Sequence, residues 1–172
     1  RKNISDAELK TKVSTSTQKM VFETDFPLTH EERNKIVTEI IDDIVGYGPI
    51  EEFLRDKAVT EIMVNNPSTI FVEKFGKIHK TAKTCIDENH LLRIIDKSVS
   101  KIGRRVDEAS PYVDARLPDG SRVNIIISPL ALNGPVMTIR KFSADPFTID
   151  DLIRMGTCSR KLSDFMKACV KG

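Results

Sequence analysis

The chain has no tryptophan, only two tyrosines, three histidines and three cysteines, and each scarcity removes a class of function. Without aromatic residues interleaved among basic ones there is no stacking platform for single-stranded nucleic acid. A net charge of +2, with no Lys/Arg block, argues against nucleic acid as a partner as well. Cys85, Cys158 and Cys169 are odd in number, widely spaced and form no CxxC pair. They read as reduced thiols of a cytosolic protein, packing residues and not ligands. His30, His79 and His90 lack the spacing of metal ligands, so no metal site is expected. No apolar run approaches the length of a membrane span, and no signal-peptide pattern opens the chain. The Walker A pattern GxxxxGK[ST] is absent, and three histidines allow no Ser-His-Asp triad or paired-histidine site. No catalytic residue is therefore expected within this sequence.

What is present is an ordinary globular composition, 40% hydrophobic and 30% charged over 172 residues, enough for one substantial core. The most informative stretch runs from Pro111 to Phe142 and reads as three strands, Tyr112–Leu117, Arg122–Ile127 and Val136–Lys141. Val113, Ala115 and Leu117, then Val123, Ile125 and Ile127, then Met137 and Ile139 alternate onto one face. The opposite face carries Arg116, Arg122 and Arg140. Between the first two strands, Pro118-Asp119-Gly120 has the chemistry of a three-residue hairpin loop, with Pro presetting a type I turn and Gly taking the left-handed position after it. That turn predicts Arg116 opposite Arg122, Ala115 opposite Val123 and Val113 opposite Ile125. Two guanidinium groups directly across a sheet cost roughly 0.2–1 kcal/mol unless something negative lies between them. Two readings follow. The arginines form a phosphate clamp, for which the planar guanidinium fork is suited; or they are long side chains on a solvated face, with Asp114 placed diagonally to neutralise one of them.

Upstream, residues 1–28 are polar and read as a flexible or partner-dependent N-terminal arm. Thr29-His30-Glu31-Glu32 is a capping box opening a helix to about Val45. Its stripe Ile36, Val37, Ile40, Ile41, Ile44 and Val45 is expected to be a core face. Gly46-Tyr47-Gly48-Pro49 breaks that helix, and a short one follows over Ile50–Arg55. Strands are predicted at Thr60–Val64, Ile70–Glu73 and Ile78–Thr81, then a helix from the Asp87 cap to about Ile102 with Leu91, Leu92, Ile95, Val99 and Ile102 inward. The outer face of this helix carries a basic stripe of Arg93, Lys97, Lys101 and Arg104, a solvated face or a surface for an acidic partner. Asp107-Glu108 suits a turn better than an acid/base pair. Beyond Phe142, Thr148 caps a short helix and a last one begins near Arg160, with Leu162, Phe165, Met166 and Cys169 on its apolar face. The fold class expected is α+β: N-terminal helices, a largely antiparallel sheet with covering helices, then linker helices. The segments are 1–28, a helical subdomain over 29–57, a sheet domain over 58–142, and a linker with helices over 143–172. A start at Arg1 and a stop just after a helical run read as a piece of something longer.

Several motifs in this order, Ile44-Val45-Gly46-Tyr47-Gly48-Pro49-Ile50, Thr60–Asn65, Gly103–Pro111, Val113–Asn124 and Thr138-Ile139-Arg140-Lys141-Phe142, resemble the CpaF-like branch of the type II/IV secretion ATPases. That branch drives assembly of tight-adherence (Flp) pili and related secretion machines. The resemblance runs from about Thr29 onward. It implies a PAS-like sheet domain followed by a RecA-like domain carrying Walker A and Walker B, both of which this sequence lacks. It further implies a cytoplasmic homohexamer, peripheral on the inner face of the cell membrane, working with an inner-membrane platform protein. The full-length protein would be an ATPase using ATP and Mg2+; the fragment would need no cofactor and be inactive alone. In relatives, arginines of the N-terminal sheet reach the ATP phosphates, which carries over first to Arg122 and Arg140 and then to Arg116. ATP held between domains would let hydrolysis change their angle about the Ser143–Phe147 connector. The alternative is a non-catalytic PAS-like docking module that meets a membrane or secretion-machine partner through the basic helix.

Overall fold

The computed structural model describes residues 6–24, 26–142 and 147–171. The chain divides into two compact units, Arg1–Phe142 and Ser143–Gly172. Residues 143–146 of the expected connector lie outside the described residues, as do 1–5 of the N-terminal arm.

The first unit begins with α1 (Asp6–Glu23) packed on α2 (His30–Ile44). The polar stretch read as an arm thus has a helix with a partner, and one residue of α2 explains how the first helix ends. Arg33 donates to the carbonyls of Val21, Thr24 and Phe26, serving acceptors that the end of α1 leaves open. The capping box of α2 forms as expected: Thr29 Oγ1 accepts from Glu32 N at 3.2 Å and Glu32 Oε2 accepts from Thr29 N at 2.8 Å. The stripe of α2 departs from expectation. Val37 is buried, but Ile44 is 53% exposed and none of the six joins the main core. The physical reason is its neighbours, because α2 packs mainly on the mostly polar α1 and on residues 48–50.

A 3₁₀ turn (Gly48–Ile50) and α3 (Glu51–Arg55) lead into β1 (Val59–Asn66), β2 (Thr69–Lys74) and β3 (Lys77–Lys80). Then come α4 (Glu88–Ser100), β4 (Tyr112–Arg116), β5 (Arg122–Ile126) and β6 (Val136–Arg140). The six strands form one antiparallel sheet in the order β3-β2-β1-β6-β5-β4. The two strand groups therefore join through β1 and β6. One sheet face, including Ile62, Val64, Val123, Ile125, Met137 and Ile139, shares a buried cluster with Leu91, Ile94, Ile95 and Val99 of α4 and with Ile50 and Phe53. Several of these side chains are completely enclosed, which makes this cluster the main source of stability. The inward face of α4 is wider than the sequence pattern suggests: His90, Ile94 and Ser98 are buried too.

The second unit contains α5 (Ile149–Arg154), with a Thr148–Asp151 capping box, and α6 (Arg160–Lys171), on which Leu162, Phe165 and Met166 are exposed. No helix among the described residues is long and apolar enough to cross a membrane.

Candidate anion-binding face

The hairpin turn sets the site. Gly120 adopts φ +87° and its N–H donates to the Leu117 carbonyl at 2.9 Å, while Leu117 N–H donates to Ser121 O at 2.7 Å. The register that follows is the one the turn chemistry predicts: Arg116 faces Arg122, Ala115 faces Val123 and Val113 faces Ile125. On the next strand pair Arg122 faces Arg140. Arg116, Arg122 and Arg140 thus form one row across β4, β5 and β6 on the sheet face opposite the core. The row continues into Glu61 of β1 and Glu73 of β2, so it is basic at one end and acidic at the other.

Each arginine has a different electrostatic setting. Arg122 grips Asp114 from the adjacent row with two bonds, Nε to Oδ1 at 2.9 Å and Nη2 to Oδ2 at 2.6 Å. The Arg122 hydrogen bonds hold the Asp114 carboxyl below its ordinary range, and Asp114 in turn raises Arg122. Arg140 Nη2 lies 3.5 Å from Glu61 Oε2. Arg116 has no ion-pair partner among the described residues. Glu61, Asp114, Arg122, Asn124, Thr138 and Arg140 line a shallow cavity of about 250 Å³. Asn124 and Thr138 face each other in the row beside the arginines and add neutral hydrogen-bonding groups.

The sequence pattern brings the three arginines together and anticipates Asp114. Glu61 escapes it, because only the β1–β6 pairing makes that residue a neighbour. Asp107 serves a turn, accepting from Ala109 N at 3.1 Å and Ser110 N at 2.9 Å. The basic stripe on α4 is partly spent internally. Lys97 Nζ donates to the carbonyls of Ile44 at 2.9 Å and Gly46 at 2.7 Å, and Lys101 Nζ lies 4.8 Å from the Tyr47 ring centre. A second cavity, of about 350 Å³, lies between α2 and the segment before α4. There His90 Nδ1 accepts from Ile86 N at 3.2 Å, Nε2 stands 3.6 Å from Asp43, and Lys83 bridges Glu39 and Glu52.

The sequence matches the family described as "Type II/IV secretion system protein" over residues 43–172. The chain belongs to this family. Among individual relatives, the uncharacterized protein MJ0781 of Methanocaldococcus jannaschii is 39% identical over 128 residues, 73% of this chain and 18% of the relative. The type IV secretion system protein VirB11 of Bartonella henselae is 30% identical over 112 residues, 64% of this chain and 32% of the relative. Among solved structures, the VirB11 ATPase of the Brucella suis type IV secretion system, crystallised in complex with sulphate, aligns with a TM-score of 0.56 and 27% identity. That alignment covers 63% of this chain and 34% of the other, so the α+β architecture is shared. The secretion-family chain thus spans about a third or less of the length of these relatives.

Proposed function

We propose that this chain is the N-terminal part of a hexameric secretion ATPase of the CpaF-like branch, whose open sheet face meets the phosphates of ATP. One observation carries the reading: Arg116, Arg122 and Arg140 stand in a single row on three adjacent strands of a face that the core does not use. Like charges in register are unfavourable unless an anion or carboxylate joins them, and guanidinium forks match phosphate oxygens. Family membership supports the ATPase, and the similarity to the VirB11 ATPase supports it further.

The donor set fits ATP phosphates: three guanidinium groups, with Thr138 and Asn124 beside them. Among the described residues no cluster of three or more His, Cys, Asp or Glu is placed to hold a metal ion. Bound ATP supplies the phosphoryl group whose transfer drives the machine. The arginines neutralise phosphate charge and orient it; a donated arginine of this kind contributes about 10³–10⁵ in rate where it reaches the developing charge. Because the sheet would hold one side of the nucleotide and a following RecA-like domain the other, binding and release change the angle between domains. The hexamer would sit in the cytoplasm against the inner membrane, with a membrane platform protein as partner, and would build a pilus or export protein.

The docking alternative draws on the α4 stripe, and the engagement of Lys97 and Lys101 weakens it. ATP affinity of the full-length protein separates the two. Arg122→Ala and Arg140→Ala weaken ATP binding under the phosphate reading, while Arg93→Ala with Arg104→Ala leaves it unchanged. Equal, unaltered affinity in all variants overturns that reading.

A further inference from the structure

We propose that Asp114 and Glu61 form a carboxylate latch on the arginine row, and that a polyphosphate anion binds by exchanging places with them. This rests on the phosphate reading of the row and adds a rule for which anions succeed.

The carboxylates stand where an anion would. Asp114 occupies the Nε–Nη2 edge of Arg122 through both of its oxygens, the bidentate geometry a phosphate uses. Glu61 approaches Arg140 through one contact of 3.5 Å. Both line the same cavity as the two arginines they hold, so an entering anion meets them directly. The three arginines are thereby graded. Among the described residues Arg116 has no carboxylate to leave, Arg140 is loosely held and Arg122 is doubly held.

Both pairs reach solvent through their arginines and are weak, so exchange is easy for an anion that offers more charge than it displaces. Asp114–Arg122 has side chains 40% and 68% exposed, and Glu61–Arg140 has 18% and 72%. Three guanidinium charges against two carboxylates leave the cluster one net positive charge. An orthophosphate therefore gains little and is repelled by the carboxylates that remain. A triphosphate chain is long and charged enough to engage neighbouring arginines of the row together, pushing both carboxylates aside. The latch makes the row selective for polyphosphate over monophosphate, and with no polyphosphate bound it holds Arg122 and Arg140 against their carboxylates.

The test titrates tripolyphosphate and orthophosphate into the 172-residue chain at low salt by calorimetry. Asp114→Asn should tighten tripolyphosphate about three- to tenfold and Glu61→Gln about two- to threefold. Glu73→Gln, which removes a carboxylate from the same row without an arginine contact, should change it less than twofold. Orthophosphate should gain proportionally more from Asp114→Asn, narrowing the preference. If Arg122→Ala and Arg140→Ala abolish binding while Asp114→Asn leaves it unchanged or weaker, the latch is wrong and the phosphate reading stands. Equal tightening by Glu73→Gln also overturns the latch, by assigning the effect to general charge. Absence of arginine-dependent binding in the parent and in both carboxylate variants removes the latch together with the reading beneath it.

Discussion

Arg55 of α3 donates to the Asp42 carboxylate of α2 through both terminal nitrogens, Nη1 to Oδ2 at 3.2 Å, and so fastens two helices across the Gly46–Gly48 break. Asp42 is 8% exposed, which makes it a nearly buried carboxylate whose partner reaches solvent. Removing it deletes a charge-assisted contact and leaves Arg55 with Glu51 alone, at 3.3 Å. Asp42→Ala should lower stability by about 1–3 kcal/mol in urea unfolding, and Asp42→Asn by less. An unchanged midpoint would show that the pair contributes nothing.

Gly48 adopts φ +57°, and a Cβ there would stand 2.8 Å from Asp43 Oδ1, 3.1 Å from His90 Nε2 and 3.1 Å from Ile94 Cδ1. Gly76 is also left-handed, at φ +73°, but a Cβ would meet nothing within 4 Å. Gly48→Ala should therefore cost about 2–4 kcal/mol and Gly76→Ala about 1 kcal/mol, since strain and crowding add only at the first. Thermal melts of the two variants compare them directly, and equal losses would contradict the crowding.

The acid and alkaline limbs of the stability curve have separate causes. Lys83 hydrogen-bonds Glu39 and Lys74 hydrogen-bonds Asp56, lowering both carboxyls below their ordinary values of 4.5 and 3.8. Their contribution is complete above those values and is lost as pH falls through the lower folded values. Burial pushes the Cys85 thiol from 9.0 up to about 11. Its contribution is complete below pH 9.0 and is lost between 9.0 and about 11, as the unfolded chain ionises first. Urea unfolding across pH should fall off below about pH 4.5, and Cys85→Ala should flatten the decline above pH 9. An unaltered alkaline slope in that variant would exclude the thiol.

The hairpin was readable because Pro118-Asp119-Gly120 dictates one turn, and strand parity then fixes the faces of Arg116 and Arg122 without further information. Arg140 followed from parity alone. Glu61 lay beyond reach: its contact with Arg140 depends on β1 pairing with β6, a choice made by the whole sheet and not by either strand. The exposure of Ile44 and the burial of Ile94 have the same origin. Helical periodicity finds an apolar stripe but not which neighbour covers it, and here the sheet covers α4 while the polar α1 lies on α2. Lys97 and Lys101 illustrate the converse: in sequence they belong to one basic stripe, and in the structure both engage the segment around Ile44–Tyr47 some fifty residues upstream.

Whether the arginine row acts on ATP phosphates is decided by steady-state ATP turnover of the full-length protein carrying Arg122→Ala or Arg140→Ala. With hexamer assembly checked alongside, the account predicts a loss of about tenfold or more at an intact hexamer. Turnover equal to the parent in both variants would contradict it.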